Sequence, residues 1–293
     1  MRFTGFVRQH WAALRALLVF TVVLGIAYPL LVWLIGQLPG LQQRAQGSLI
    51  TVDGQPVASE LIGQSFTDDN GLALPQYFQT RPSAAGDGYD GLASSASNLG
   101  PEDIVDQPEK PSLLTQVCAR SLAIEQVESL QSGAGLRPFC TPSGVGAVLA
   151  VFGPRSSDGT VVHPSRVVSI NEVCGDGTEP FVLSYRGVRV ECARADEDYS
   201  AGQVVPIRGA APKTSRIPAD AVTASGSGLD PDISPEYAAL QIDRVARARG
   251  ISADQVRAVL RAQSRGRLLG FFGEPRVNVV VLNWELDRKY PVP

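Results

Sequence analysis

Residues 16–38 read ALLVFTVVLGIAYPLLVWLIGQL and contain no charged side chain. The stretch has about 23 residues, so as an α-helix it would extend roughly 35 Å, against about 30 Å for the hydrocarbon core of a bilayer. A cleaved signal peptide is the alternative, but its apolar region usually has only about 7–15 residues, and the one nearby small-residue cleavage sequence, Ala45-Gln46-Gly47, is weak. We therefore predict a retained transmembrane helix over residues 16–38.

Basic residues flank this stretch unequally. Three arginines precede it, namely Arg2, Arg8 and Arg15. Soon after it Arg44 is the only charged residue, and the first acidic residue of the chain is Asp53. The positive-inside rule therefore predicts that residues 1–15 are cytoplasmic and that the chain from residue 39 onward lies outside the cytoplasm.

Small residues mark one side of the predicted helix. Thr21, Gly25, Pro29 and Gly36 lie close to one stripe. Such a stripe would let a helix of another protein approach closely. Pro29 removes one helical hydrogen bond and is predicted to kink the helix, which is tolerated where a neighbouring helix packs against the bend. Because Gly and Pro are common in membrane helices generally, a helix without a partner is the alternative.

Composition restricts the class of protein. The chain has 293 residues, 44% of them hydrophobic and 19% charged, with a net charge of −3. This charge balance makes nucleic acid an unsuitable partner. The only histidines are His10, which precedes the helix, and His163, so a histidine metal site or catalytic triad outside the membrane would depend on His163 alone. We predict no metal site, no catalytic residue and no specific cofactor-binding residue.

Local patterns beyond the helix predict both strands and helices. Residues 47–66 indicate a strand, an Asp53-Gly54 turn, and a second strand or short helix. Residues 83–109 are rich in Ser, Gly, Ala and Asp and predict a long surface loop. Apolar residues at helical spacing predict a helix over residues 112–130.

The C-terminal section carries strong local signals. Ser234-Pro235 suits the N-cap and first position of a helix that ends at Gly250. Ser252 and Gln255 form a capping box for a second helix. The segment RVNVVVLNW (276–284) predicts a buried strand.

Residues 131–216 differ from the rest of the chain in their pattern of apolar residues. They contain short β-branched runs: VGAVLAVFG (145–153), RVVSINEVC (166–174), FVLSY (181–185) and GVRVECA (187–193). We predict a small β-rich insert here, within an α+β extracytoplasmic domain formed by residues 39–130 and 217–293. The four cysteines, Cys118, Cys140, Cys174 and Cys192, lie in the insert or near its border. Without a CxxC spacing they predict two disulfides rather than a zinc site, with three pairings open.

The segment TASGSGLDP (223–231) is the part of the sequence that most suggests an anion-binding or catalytic site. Its small and hydroxyl residues could cradle an anion, but it lacks the spacing and lysine of a phosphate loop and does not fit GxSxG. A tight turn before Ser234 is the favoured interpretation. Ser225, His163 and Asp230 could be drawn as a triad, yet nothing in the sequence brings His163 near Ser225.

Several short sequence motifs occur along the chain in an order that is typical of one family. They are Tyr28-Pro29-Leu30, GSLI (47–50), SELIGQ (59–64), YFQTRPSA (77–84), SNLGP (97–101), TASGSGLDPDISP (223–235), RVARARG (244–250) and GEPRVNVVVLN (273–283). Together they resemble the C subunit of the bacterial Kdp potassium-transporting ATPase. They occupy most of residues 16–130 and 218–288, and TASGSGLDP is the most specific of them.

The resemblance implies a non-catalytic accessory subunit of a high-affinity, ATP-driven potassium uptake pump in the bacterial cell membrane. The implied partners are a channel-like potassium-translocating subunit, a P-type ATPase subunit and a small single-helix subunit, with ATP and the potassium ion at the level of the complex. In one account of the family the subunit is a catalytic chaperone that raises the ATP affinity of the ATPase subunit. In the other it is an outer cap that stabilises the assembly. The predicted topology favours the cap, because ATP is cytoplasmic and an outer domain could reach it only through a coupled conformational equilibrium.

The resemblance also implies contact residues and shows two departures. The implied contact candidates are Asn98, Thr223, Ser225, Gly226, Ser227, Gly228 and Asp230. The family usually has only a short connection where this chain has residues 131–216, and Asp232 stands where the family often has histidine. The competing classes are an anchored extracytoplasmic hydrolase that uses Ser225 or Ser227, and a ligand-binding module formed by the insert.

Overall fold

The computed structural model describes residues 3–94, 104–172, 174, 179–194, 196–209, 211–212 and 215–292. It consists of two compact units, Met1–Leu61 and Ile62–Pro293. Helices and strands occur in both units, so the predicted combination of a mixed α+β protein with a single N-terminal apolar helix is confirmed.

The first unit begins with one long helix. It comprises α1 (Phe3–Val22), a π-helical turn (Val23–Ala27) and α2 (Tyr28–Gly36). Within the described residues, Gly5–Gly36 is the one helix that is long and apolar enough to cross a membrane. It begins before the predicted residue 16 because the preceding residues are also largely apolar, and it ends two residues before the predicted residue 38.

The π-helical turn lies immediately before Pro29. Here the Tyr28 N–H donates to the Val23 carbonyl, five residues back instead of four. Proline has no N–H for the Gly25 carbonyl, and its ring would clash with that carbonyl in a regular α-helix. The wider turn removes this conflict, and such turns are a known cause of helix bends. The irregularity lies where the sequence predicts one.

A short hairpin completes the first unit. After α3 (Gln42–Ala45), β1 (Leu49–Val52) pairs antiparallel with β2 (Gln55–Ser59). Asp53 and Gly54 between them both have positive φ, +51° and +78°, as a tight two-residue hairpin turn requires. The predicted strand, turn and second strand are confirmed.

The second unit begins with irregular chain and then α4 (Leu113–Val127). The Ser112 side chain caps α4 by accepting a hydrogen bond from the Thr115 N–H. The helix predicted over residues 112–130 is thus confirmed. The described residues 83–94 and 104–109, predicted as a loop, form no helix or strand, although Ala85 is completely buried.

A five-stranded sheet follows α4. Its strands are β3 (Val148–Phe152), β4 (Arg166–Ser169), β5 (Ser184–Tyr185), β6 (Val188–Cys192) and β7 (Gln203–Pro206). Their spatial order is β5-β6-β4-β3-β7, with only β4 and β6 parallel. Each predicted run contains a strand, whereas the half-exposed edge strand β7 was not predicted. All five strands fall inside residues 131–216, and the proposal that this segment is a separate insert stays a prediction.

Helices dominate the C-terminal part. The remaining elements are a 3-10 turn (Ala219–Ala221), β8 (Asp232–Ile233), α5 (Pro235–Arg249), α6 (Ala253–Gln263), β9 (Ser264–Arg265), β10 (Arg276–Asn278) and α7 (Val279–Lys289). The Ser234 cap, the left-handed Gly250 at φ +64° and the Ser252 capping box are all present as predicted. Strands β8, β10 and β9 form a small antiparallel sheet in that order.

The strand predicted over residues 276–284 was largely wrong. Only β10 is extended, and the chain turns into α7 at Val279. Asn278 caps α7 by accepting from the Val281 N–H at 3.0 Å. Val279, Leu282 and Leu286 are completely buried on the inner side of α7. Burial at helical spacing outweighs the strand preference of the valines.

A coil segment, residues 74–81, runs through the second unit without belonging to a sheet, and it turns at residues 75–77, where the Tyr77 N–H donates to the Leu74 carbonyl at 3.2 Å. Phe78 is completely buried, and its backbone pairs with the Asn283 side chain of α7: the Phe78 N–H donates to Oδ1 at 2.8 Å, and Nδ2 donates to the Phe78 carbonyl at 2.9 Å. Gln241 of α5 pairs with the backbone of Gln79 in the same way: the Gln79 N–H donates to Oε1 at 2.6 Å, and Nε2 donates to the Gln79 carbonyl at 3.1 Å. Side-chain amides thus take the place of a neighbouring strand.

Two arginines of α5 bind the same segment. Arg244 Nη1 donates to the carbonyls of Pro75 and Tyr77 at 2.8 and 2.9 Å, and Arg249 Nε donates to that of Gln76 at 2.7 Å. Arg244 also forms an ion pair at 3.0 Å with Glu128, which follows α4. Burial raises the pKa of Glu128, and Arg244 opposes that rise. Arg244 therefore connects α4, α5 and the coil segment.

Replacing Asn283 with leucine should destabilise the second unit. Asn283→Leu keeps the approximate volume but leaves the N–H and carbonyl of Phe78 buried without partners, at about 1–3 kcal/mol for each group. Urea denaturation of the full chain in mild detergent, followed by tryptophan fluorescence, measures the free energy of unfolding. A loss below about 0.5 kcal/mol would show that the pairing contributes nothing.

The four cysteines form two disulfides in the second unit. Cys118 of α4 pairs with Cys140, and Cys174 pairs with Cys192 of β6, with Cα–Cα distances of 5.5 and 5.7 Å. The two predicted disulfides are therefore confirmed, and one of the three open pairings is selected. The first bond attaches α4 to the chain that enters the five-stranded sheet.

This pairing can be checked directly. Proteolysis of the full chain without reduction, followed by mass spectrometry, should yield disulfide-linked peptides that contain Cys118 with Cys140 and Cys174 with Cys192. Peptides that link Cys118 to Cys174 or Cys192 would contradict the structure.

Candidate contact surface around residues 223–231

The contact loop, which we define as residues 223–231, lies between the 3-10 turn and β8. Its carbonyl groups are held by donors from other parts of the second unit. Three hydrogen bonds do this: Ser83 Oγ to the Gly228 carbonyl (2.6 Å), Ser94 Oγ to the Ser227 carbonyl (2.7 Å) and the Gly63 N–H to the Leu229 carbonyl (2.8 Å). The loop is therefore fixed from three separate places in the sequence.

Arg81 connects the two ends of the contact loop. Its Nη1 forms an ion pair with Asp230 Oδ2 at 2.9 Å. Its Nε and Nη2 donate to the Thr223 carbonyl at 3.4 and 3.3 Å, and Nη2 also reaches the Ala224 carbonyl at 3.4 Å. Asp230 Oδ1 accepts from the Asp232 N–H at 3.0 Å. Both Asp230 oxygens are therefore occupied within the protein.

The two glycines of the loop have different roles. Gly228 has φ +70°, and a Cβ there would lie 2.7 Å from the Cβ of Ala85, which is completely buried. Only glycine fits this position without strain. A Cβ on Gly226 would have no neighbour within 4 Å. Gly228 therefore allows close packing, whereas Gly226 lies at the open surface of the loop.

The hydrogen bonds of the loop favour the tight-turn interpretation. The Gly228 N–H donates to the Ser225 carbonyl at 3.2 Å, and the Leu229 N–H donates to Ser227 Oγ at 3.1 Å. These two donors are used inside the loop instead of pointing together toward an anion. The structure therefore presents residues 223–231 as a rigid surface.

The structure does not assemble the triad that the sequence allows to be drawn. In the described residues His163 forms no hydrogen bond with Ser225 or Asp230, and it lies in the connection between β3 and β4. The Asp230 carboxylate is paired with Arg81 instead. A triad needs its carboxylate to orient the histidine.

Of two further positions singled out in the sequence, Asn98 and Asp232, only Asp232 lies within the described residues. Asn98 and the phrase SNLGP (97–101) lie outside the described residues. Ser94, the last described residue before them, contacts the loop through Ser227. Asp232 pairs with Arg276 at 2.9 Å; burial raises its pKa, Arg276 opposes this rise, and Asp230 adds to it.

Beside the contact loop is a cavity of about 450 Å³ that was not predicted. Arg81, Tyr89, Arg120 and Tyr237 lie on its wall. The Tyr89 hydroxyl donates to the Arg81 carbonyl at 2.7 Å, and burial raises the pKa of Tyr89. Arg120 donates to the Val222 carbonyl at 3.1 Å, and burial lowers its pKa. These polar groups support the wall of the cavity.

The residues predicted to pack in the membrane belong to the first unit. A Cβ on Gly25 would lie 4.0 Å from Thr21 Cγ2, so these two residues share one side of the helix. Gly36 is different, because a Cβ there would lie 3.2 Å from Ala45 of α3. A larger residue there would need a small shift of Ala45 within the unit. Packing of Thr21, Gly25, Pro29 and Gly36 against a partner helix stays a prediction.

Together these features define an α+β protein with one candidate membrane helix and a rigid, hydrogen-bonded surface loop. A family model described as "K+-transporting ATPase, c chain" (KdpC) matches residues 10–145 and 195–288. The chain therefore belongs to the KdpC family, the C subunits of the Kdp potassium-transporting ATPase. The resemblance recognised in the sequence is confirmed.

Curated relatives agree with the family match. The "Potassium-transporting ATPase KdpC subunit" of Kineococcus radiotolerans is 36% identical over 288 residues, which cover 98% of this chain and 97% of the relative. The protein of the same name from Beijerinckia indica is 34% identical over 280 residues, covering 96% and 93%. That from Mycobacterium tuberculosis is 35% identical over 281 residues, covering 96% and 98%.

The family model leaves out residues 146–194. This gap contains β3, β4, β5 and β6, but not β7. The gap is narrower than the predicted insert of residues 131–216 and falls inside it. Both cysteines of the second disulfide, Cys174 and Cys192, belong to the unmatched segment.

The two loop glycines offer a matched pair of variants. Gly228→Ala should destabilise the second unit by about 2–4 kcal/mol, because it adds a left-handed non-glycine residue and a clash with Ala85. Gly226→Ala should change the free energy of unfolding by less than about 0.5 kcal/mol. Urea denaturation of both full-length variants measures this difference. Equal effects would show that Gly228 is not packed as described.

Proposed function

We propose that this chain is a non-catalytic accessory subunit that stabilises an ATP-driven potassium uptake pump through an extracytoplasmic domain. The contact loop carries the proposal. Its carbonyls are held by Ser83, Ser94 and Arg81, so it presents a fixed shape to a partner. Preformed surfaces lose little conformational freedom on binding, which favours a stable assembly.

An extracytoplasmic position is supported by two independent features. Three arginines precede the uncharged stretch 16–38, and Arg44 is the only charged residue soon after it, which favours a cytoplasmic N-terminus. The second unit carries two disulfides, and disulfides persist in oxidising compartments. ATP binding by the ATPase subunit would then be affected only through a coupled conformational change, as the catalytic-chaperone account requires.

We assign different partner contacts to the two units. The side of the helix that carries Thr21, Gly25 and Pro29 would pack against membrane helices of the channel-like subunit or the small single-helix subunit. The contact loop would face the outer surface of the channel-like subunit, and Asn98, which the resemblance also implies as a contact residue, would bind the same surface. The P-type ATPase subunit would join through the same assembly, with potassium and ATP bound by the other chains.

A mild-detergent pull-down from potassium-starved cells tests this assembly. The tagged full chain should recover a P-type ATPase and a channel-like membrane protein, identified by mass. Recovery of the chain alone, from intact membranes and in good yield, would contradict the proposal.

A pair of helix variants tests the membrane contact. Gly25→Leu places a large side chain on the small-residue side and should lower recovery of the partners several-fold. Ala27→Leu, on another side of the same helix, should leave recovery unchanged. If both variants recover partners equally well, the proposed packing side is wrong, although the assembly itself could still be intact.

A further inference from the structure

A protruding apolar loop lies in the second unit between β9 and β10. Leu268, Leu269, Phe271 and Phe272 form its apex and are 71%, 75%, 66% and 57% exposed. The two phenylalanine rings contact each other at a tilt of 37°, with centroids 4.4 Å apart. A contiguous group of large apolar side chains at the surface marks a site that another apolar phase covers.

The loop has a defined shape. Leu268 and Phe272 exchange two backbone hydrogen bonds, at 2.8 and 2.9 Å. Leu269 and Gly270 at the apex have positive φ, +53° and +82°, which is rare for leucine. Because the two bonds satisfy backbone groups next to the apex, the loop can enter a less polar environment at low cost.

Arginines surround the base of the loop. Arg265, Arg267 and Arg276 flank the apex, and Glu274 is the only acidic residue in the stretch 264–276. Arg267 pairs with Glu274 at 2.6 Å, and Arg276 pairs with Asp232 at 2.9 Å. The loop therefore has an uncharged tip, and its base carries three arginines against two carboxylates, an excess of one positive charge that suits an anionic membrane surface.

We propose that residues 267–272 insert into the interfacial region of the bilayer, with the arginines at the phosphates of anionic phospholipids. The candidate membrane helix ends at Gly36 and the second unit begins at Ile62, so a bilayer that holds the helix is present at a high effective concentration for the second unit. This tether makes even a small apolar contact effective.

Site-specific fluorescence in lipid vesicles tests the proposal. Among the residues that the structure describes there is no free cysteine, and all four cysteines of the sequence are paired. Phe271→Cys therefore supplies one reactive thiol for an environment-sensitive dye. Leu183→Cys is the matched control, because Leu183 is also an exposed apolar residue of the second unit, at 58%.

The labelled full-length variants are reconstituted alone into phosphatidylglycerol–phosphatidylcholine vesicles. A quencher attached to the lipids should quench the dye at position 271 several-fold more than the dye at position 183. Equal quenching at the two positions would overturn the proposal. Protection of position 271 only after the other pump subunits are added would also overturn it, in favour of a protein contact.

The lipid composition tests the arginines separately. Vesicles of phosphatidylcholine alone should reduce quenching at position 271, because the anionic phosphates are then no longer in excess. Unchanged quenching would overturn the role given to the arginines. None of these results depends on the partner recovery that tests the proposed function.

Discussion

The second unit depends on the coil segment of residues 74–81, whose backbone groups must be satisfied without a neighbouring strand. Buried backbone N–H and carbonyl groups need partners, and residues 74–81 find them in the side chains of α5 and α7. Gln241 and Asn283 supply paired donors and acceptors, and Arg244 and Arg249 supply further donors. These polar contacts fix the register of both helices against the segment, which apolar packing alone would specify less strictly.

The same segment links the core to the surface. Immediately after Gln79 the chain places Arg81 against both ends of the contact loop and Ser83 against its Gly228 carbonyl. The loop is therefore an extension of the core, and its shape depends on the helices that hold residues 74–81. Only a few residues of coil separate the contacts with α5 from those with the contact loop.

Sequence patterns predicted the features that depend on local chemistry. The caps at Ser234 and Ser252, the Asp53-Gly54 turn and the disturbance at Pro29 are determined by residues within one or two turns. The ion pair of Arg81 with Asp230 joins residues 149 positions apart, and the pairing of Phe78 with Asn283 spans 205 positions. Periodic sequence patterns report on neighbours within a few residues, so they cannot predict contacts between residues that are so far apart in the sequence. The strand predicted at residues 276–284 failed for a related reason, because its valines were assigned by preference before their packing surface was known.

The chain leaves the five-stranded sheet close to the place where it enters it. The Phe139 N–H donates to the Arg208 carbonyl at 3.1 Å, and β3 and β7 lie side by side. The two ends of the intervening segment are thus already closed by hydrogen bonds, as at the base of a hairpin. A short turn could therefore join the two ends if the stretch between them were absent. Its loss would still remove the Cys118–Cys140 disulfide and the bonds of Asn171 to Ile104 and Asp106, so α4 and the chain before it would need other support.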